Sequence, residues 1–155
     1  MLEFRTCSPA ETETLGARLG SQLRSGDMIT LSGELGGGKT CLVRGIVKGA
    51  APASADQVAS PTYALLHQYG DRPPIYHFDC YRLRGADDAL EIGLTDLLSG
   101  DGICLVEWPE RVTSELPPDR LEITLEHIDD SCRRICLLAH GNRARELLSL
   151  LSQVP

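Results

Sequence analysis

No run of apolar residues in this 155-residue chain approaches the ~18 that a membrane span requires, so no spanning helix is expected. The opening residues, Met1-Leu2-Glu3-Phe4-Arg5-Thr6, lack a basic segment followed by an apolar stretch, and no signal peptide is expected either. C-x-x-C is also missing. The six cysteines stand at positions 7, 41, 80, 104, 132 and 136, and the four histidines are scattered, so no structural zinc is expected. The nearest cysteine pair, Cys132 and Cys136, lies on one strand-like run, where residues four apart are too distant to bridge. The expectation is free, mostly buried thiols in a reducing compartment, and hence a cytoplasmic protein. A basic excess is absent as well: 15 basic residues against 22 acidic ones give a formal charge of −7. Phosphate contacts need a basic face, which argues against a protein that grips nucleic acid alone. A role beside RNA held by another protein stays open.

What is present is an ordinary globular composition, 42% hydrophobic and 24% charged. The length suits one domain over residues 1–155, and no repeat or composition break divides it. Ser8-Pro9-Ala10-Glu11 has the form of a capped helix start, with Leu15, Leu19 and Leu23 as its apolar stripe and Gly26 after its end. Gly49 to Ala55 is a run of small residues, read as a mobile loop outside the core. Ala64 to Tyr69 and Ile75 to Asp79 read as a hairpin around Gly70-Asp71-Arg72-Pro73-Pro74. Asp87 to Leu98 reads as helix broken near Gly93. Ile103-Cys104-Leu105-Val106-Glu107-Trp108, bounded by Gly102 and Pro109, has the apolar character of a buried central strand. Leu121 to His127 and Cys132 to His140 form a second hairpin, and Asn142 is placed to cap a last helix. Strands and helices in this mixture predict a three-layer α/β fold, a central mixed sheet flanked by helices.

The most informative segment is Gly33-Glu-Leu-Gly-Gly-Gly-Lys-Thr40, the G-x-x-x-x-G-K-T pattern of a phosphate-binding loop. It lies where the chemistry needs it, between a strand-like run from Asp27 to Ser32 and a helix-like run from Cys41 to Val47. Strand, glycine loop and helix start together aim backbone N–H groups and the positive helix end at one point. Gly33, Gly36, Gly37 and Gly38 let the backbone wrap closely, Lys39 reaches the outer phosphates, the Thr40 hydroxyl binds Mg²⁺, and Cys41 opens the helix beside them.

Hydrolysis needs more than a phosphate cradle: Mg²⁺ held from a second side, and a group that positions water. Glu107 ends the apolar run and is assigned to Mg²⁺. Asp79 ends another strand and is assigned a supporting or switch role. Thr62, in Ser60-Pro61-Thr62, is placed to sense the outer phosphate. His77 shares the strand face of Asp79, where it either orients a neighbour or is packed, and packing is the plainer reading. Trp108 is either core or a neighbour of the nucleotide. No Asn-Lys-x-Asp segment for guanine occurs, and Lys39 and Lys48 are the only lysines. ATP is therefore favoured over GTP.

Four segments now occur in order: the glycine loop, Ser60-Pro-Thr-Tyr63, Tyr76-His-Phe-Asp-Cys-Tyr-Arg-Leu83 and Val106-Glu-Trp-Pro-Glu-Arg111. Together they closely resemble the TsaE family, small bacterial P-loop ATPases of tRNA threonylcarbamoyladenosine synthesis, from about residue 8 to residue 125. The resemblance implies an ATP- and Mg²⁺-dependent protein that binds the TsaB–TsaD pair and supports its repeated turnover, meeting tRNA only through those partners. By matching position it implies Lys39 and Thr40 on phosphate and Mg²⁺, Thr62 in a first switch, Asp79 in a second and Glu107 at the metal. Cys80 stands where the family commonly has Leu, and Gly37 where Ala is common; neither touches a proposed role. The acidic surface would then dock on a partner face that otherwise meets tRNA. Competing readings are a small-molecule kinase, for which Arg82 and Arg84 are the candidate lid arginines, a nucleotide-sensing module without useful turnover, and a protein with a dead loop. Intact Lys39, Thr40 and Glu107 argue against the last.

Overall fold

The computed structural model describes residues 1–34, 36, 38–58 and 65–153. Its strands are β1 (Leu2–Thr6), β2 (Met28–Gly33), β3 (Leu66–Tyr69), β4 (Ile75–Asp79), β5 (Ile103–Glu107), β6 (Arg120–His127) and β7 (Arg133–His140). They form one seven-stranded sheet in the order β1-β7-β6-β2-β5-β4-β3. The middle of the sheet is parallel, with β2 between β5 and β6 and β4 on the far side of β5. Antiparallel strands finish both sides, β3 on β4 and β7 and β1 beyond β6. The helices are α1 (Pro9–Gly20), α2 (Lys39–Ala50), α3 (Ala86–Glu91), α4 (Leu94–Leu98) and α5 (Asn142–Ser152).

Strand alternation sorts the side chains into two cores. Ile29, Leu31, Ile75, Ile103 and Leu105 face one way and pack on Leu15 and Leu19 of α1, Leu42 and Ile46 of α2 and Leu147 of α5. Met28, Phe78, Cys104 and Val106 face the other way and pack with Ala89 of α3 and Leu94 of α4. This is the expected three-layer arrangement. Every residue of β5 is buried, as the apolar run predicts for a central strand. Gly93, left-handed at φ 76°, separates α3 from α4, which accounts for the predicted break.

α1 and α2 approach until backbone meets backbone. Gly16 and Gly20 on α1, and Gly45 and Gly49 on α2, are each four apart and share a helix face. A Cβ on Gly20 would lie 2.1 Å from the Ile46 carbonyl oxygen, and one on Gly45 2.1 Å from that of Glu13. The start of α1 is capped as its sequence predicts: Ser8 Oγ accepts the Glu11 N–H at 3.1 Å. Glu11 reaches back to the Cys7 N–H, one residue earlier than a standard capping box.

Five expectations need correction. α1 ends at Gly20, so Leu23, read as part of its apolar stripe, lies beyond the helix. The small-residue run is not a loop outside the core: α2 extends through Gly49 to Ala50, a 3₁₀ helix covers Pro52–Gln57, and Ala55 is buried. Alanine and glycine there allow close packing rather than mobility. β1 was not anticipated, although Leu2 and Phe4 alternate with Glu3 and Arg5 as a strand does. Asn142 is the first residue of α5 and not its cap; Asp119, from the loop before β6, accepts the N–H groups of Arg143 and Ala144 at 3.1 Å each. Finally, not all thiols are free. Cys7 and Cys132 form a disulfide across 125 residues of sequence. The β1–β7 register, which pairs Thr6 with Arg133, puts these two cysteines opposite one another at the next step. Cys41, Cys80, Cys104 and Cys136 are free.

Gly45→Ala is expected to cost about 1–3 kcal/mol, the range for overpacking a tight contact, read as a lower urea midpoint at unchanged slope. Alkylation of the denatured, unreduced protein should label the four free cysteines, and prior reduction should raise the count to six.

Candidate functional site

β2 runs straight into the glycine loop, and the loop into α2. Gly36 and Gly38 are left-handed, at φ 75° and 96°. A Cβ would strain the backbone at both turns, so the sequence has glycine there. Gly38 stands at the N-cap of α2 and offers no side chain to the helix amides, and the first turn of α2 carries no acid. The open N–H groups and the positive end of a helix of this length make an anion site. Lys39 is buried against it. Its Nζ donates to the Gly33 carbonyl at 2.6 Å and lies 4.4 Å above the Trp108 ring.

The acids reach this loop because of strand parity. Asp79 pairs in register with Glu107, and Glu107 with Leu31 just before the loop. Both acids therefore lie on the sheet face that carries α2 and end their strands at the level of the glycine loop. They line one cleft of about 360 Å³ with Gly36, Gly38, Lys39, Thr40 and Cys41 from the loop side and Tyr81, Arg82 and Trp108 from the other. Trp108 takes a left-handed backbone, φ 58°, which turns its ring over Lys39 and against Tyr81, 4.9 Å away.

The two carboxylates are held differently. Glu107 is only 5% exposed, and its Oε2 lies 2.7 Å from Nε2 of His77, itself 1% exposed. Asp79 is half-buried and, among the described residues, accepts the N–H of Tyr81 at 2.9 Å. Burial pushes the Asp79 carboxyl above its usual range; the Tyr81 N–H pulls it back, and the charge of Glu107 pushes it up again. Cys80, on the opposite sheet face, is wholly buried, and its thiol is pushed up to about 12 by burial and then by the charge of Asp79. It is an inert core residue.

A second cleft, of about 430 Å³, opens on the other side of the loop. Gly36, Gly38 and Cys41 line both clefts. The second is completed by Cys7, Ser8, Pro9 and Thr12 around the start of α1, and by Asp130, Ser131 and Arg133 at the β6–β7 turn. The structure thus brings together Gly33, Gly36, Gly38, Lys39, Thr40, Cys41, Asp79 and Glu107. Gly37 and Thr62 lie outside the described residues. Sequence reasoning missed this second cleft. Both readings offered for His77, packing and orienting a neighbour, fit it: it is 1% exposed and its Nε2 meets Glu107. Of the two candidate lid arginines, Arg84 turns to Asp88, donating at 3.1 Å on an exposed surface, and Arg82 lines the first cleft.

A strand, glycine loop and helix at the centre of a parallel sheet, with an acid ending the neighbouring strand, define a nucleotide-binding fold of the P-loop NTPase kind. The family model described as "Threonylcarbamoyl adenosine biosynthesis protein TsaE" matches residues 6–135. The tRNA threonylcarbamoyladenosine biosynthesis protein TsaE of Bacillus subtilis is 36% identical over 153 residues, covering 98% of this chain and 94% of that protein. The protein of the same name from Treponema pallidum is 38% identical over 128 residues, 83% of this chain and 93% of its own length. The crystal structure of Bacillus subtilis YdiB superposes with a TM-score of 0.81 at 33% identity, covering 98% of this chain and 94% of that one. The chain belongs to the TsaE family, whose members serve tRNA threonylcarbamoyladenosine biosynthesis. Among the described residues no helix is long and apolar enough to cross a membrane.

The raised carboxyl of Asp79 has a signed consequence. Its proton is held more tightly in the folded chain than in the unfolded one, so this group lowers stability as pH rises through the carboxylate range, and the loss is complete at neutral pH. Asp79→Asn keeps an acceptor for the Tyr81 N–H and removes the charge. It should raise the melting temperature of the metal-free protein at pH 7 by about 1–2 °C, partial exposure keeping the effect small. The gain should vanish as pH falls below the carboxylate range.

Proposed function

We propose that this protein is a single-domain, Mg²⁺-dependent ATPase, weak alone, that acts on the TsaB–TsaD complex and supports its repeated turnover in tRNA threonylcarbamoyladenosine modification. The observation that carries this reading is Glu107. It is a buried carboxylate at the end of β5, in the same cleft as Lys39 and Thr40. A phosphate loop next to such an acid has the parts for metal-assisted hydrolysis.

The residues fit the groups this requires. Gly36, Gly38 and the first amides of α2 cradle phosphate, joined by Gly33, Gly37 and Cys41 of the same segment. Lys39 exchanges the Gly33 carbonyl for a phosphate oxygen and neutralises charge as it develops. The Thr40 hydroxyl and Glu107 would hold the metal, and Asp79 would position water or support the second switch. Thr62 belongs to the first switch by matching position. Bound Mg²⁺ would supply charge neutralisation on the outer phosphates. With phosphate and acids on the first side of the loop, the cleft between Ser8 and the β6–β7 turn would be the one open to the nucleoside. Adenine is favoured over guanine as the base, since no Asn-Lys-x-Asp segment occurs. The protein meets tRNA only through its partners and works in the cytoplasm, where that modification system acts. A kinase reading keeps one candidate lid arginine, Arg82, in the first cleft, while Arg84 turns to Asp88 on the surface.

ATP turnover by the protein alone, then with a TsaB–TsaD pair, tests the proposal. The expected result is partner-stimulated hydrolysis that Lys39→Ala abolishes together with nucleotide binding. Glu107→Ala should keep binding and lose roughly 100-fold in Mg²⁺-dependent rate. Turnover unchanged by the pair, with no complex formed, would overturn the partner assignment, and normal hydrolysis by Glu107→Ala the metal assignment.

A further inference from the structure

His77 and Glu107 come from neighbouring parallel strands and meet diagonally. His77 is in register with Leu105, two residues before Glu107, and both side chains face α2. Both are almost wholly buried, and their contact is a single short one, Nε2 to Oε2 at 2.7 Å. The other ring nitrogen, Nδ1, is buried with no hydrogen-bond partner among the described residues. A carboxylate oxygen accepts, so Nε2 is the donor in this contact. Walls hold the ring in place: Tyr69, 2% exposed, lies 6.3 Å away centre to centre, and Leu105 is fully buried. A residue needed for packing alone gains nothing from an imidazole here, since burying an unpartnered nitrogen is unfavourable and an apolar ring would avoid it.

From this geometry we propose that His77 is a positioning residue for Glu107: its Nε2–H occupies one carboxylate oxygen and fixes the rotamer from which Glu107 serves Mg²⁺ bound with the nucleotide. The inference rests on the proposed metal role of Glu107. A carboxylate buried in this way has few sources of hydrogen bonds, so the one donor sets its orientation. Partners that orient metal-binding groups typically govern metal affinity by about 10–100-fold when removed. The effect should therefore appear in Mg²⁺ dependence and not in metal-free nucleotide binding, which belongs to the loop.

The test titrates Mg²⁺ into the full chain with a non-hydrolysable ATP analogue, following binding by calorimetry, with binding in EDTA measured in parallel. His77→Phe keeps a ring and loses the donor; His77→Gln keeps an N–H donor. The expected result is a Mg²⁺ midpoint raised about tenfold in His77→Phe, restored to within about threefold in His77→Gln, with EDTA binding unchanged in both. Equal midpoints for His77→Phe and the parent, while Glu107→Ala raises its own, would overturn the His77 inference alone. So would equal shifts in both His77 variants. An unshifted midpoint in Glu107→Ala would remove the metal reading itself. Should His77→Phe fail to fold, ¹⁵N spectra of the parent protein decide: the Nε2 resonance of His77 should move when Mg²⁺ is added to the analogue-bound chain, and an unmoved resonance overturns the proposal.

Discussion

The contact between α1 and α2 leaves no room for a single Cβ, and the position of the phosphate loop depends on it. Gly16 and Gly20 lie on Leu42 and Ile46, and Gly45 and Gly49 on Glu13 and Ala17, so each helix rests on the other's backbone. A helix seated this way cannot slide without driving carbonyl oxygens into Cα atoms. Its N-terminus, where Gly38 gives way to Lys39, is thereby fixed relative to the sheet. The sheet supplies the second coordinate. β2 enters the loop between β5 and β6, and the chain leaves it along α2. Two rigid elements thus set the ends of the loop.

Parity on parallel strands supplies the chemistry opposite that loop. A parallel strand buried on both faces reads as a nearly continuous apolar run, and β5 does so from Ile103 to Val106. Glu107 breaks the run at the one position where the α2 face meets the cleft. On β4 the same face carries Ile75, His77 and Asp79 in succession, passing from core to buried polar contact to cleft. The opposite parity holds Phe78, Cys80 and Val106 in the second core. One residue of slip in either strand would move the acids into that apolar layer, so the register of the core and the geometry of the site are the same constraint.

That logic also explains how much was legible in the sequence. The loop, β2, α2, β5 and Glu107 were readable because their signals are local: a fixed motif, a run of one period, a charged residue closing it. The α1 cap was readable for the same reason. What escaped detection was non-local. Asp119 caps α5 from before β6, a relation invisible in the residues around Asn142. The disulfide joins positions that become neighbours only through the β1–β7 register. The helix-packing glycines were visible as two four-residue spacings, but only the partner helix gives them meaning. The second cleft combines the start of α1 with the β6–β7 turn and could not be assembled without the topology. His77 is the intermediate case: its parity was clear, and its partner was not.

The charge arrangement of the first cleft explains why its two acids behave differently. Lys39 is the lysine within reach, and its ammonium is held by the Gly33 carbonyl and the Trp108 ring. Glu107 is the more buried acid and has a side-chain donor; Asp79 is more exposed and, among the described residues, has a backbone N–H. Desolvation and the neighbouring Glu107 charge together outweigh the Tyr81 N–H and the attraction of Lys39 at Asp79. A carboxylate raised by burial and by the charge of the neighbouring Glu107 would gain, under the proposed function, from an added cation. The open helix end a few residues away gains from an added anion. Each half is electrostatically incomplete, and opposite charges complete them. Under the proposed function, a metal–phosphate ligand, which carries both signs on one body, would satisfy the two halves together. The glycine-seated helix and the strand parity matter for this reason: they hold the two halves at a fixed separation before any ligand arrives.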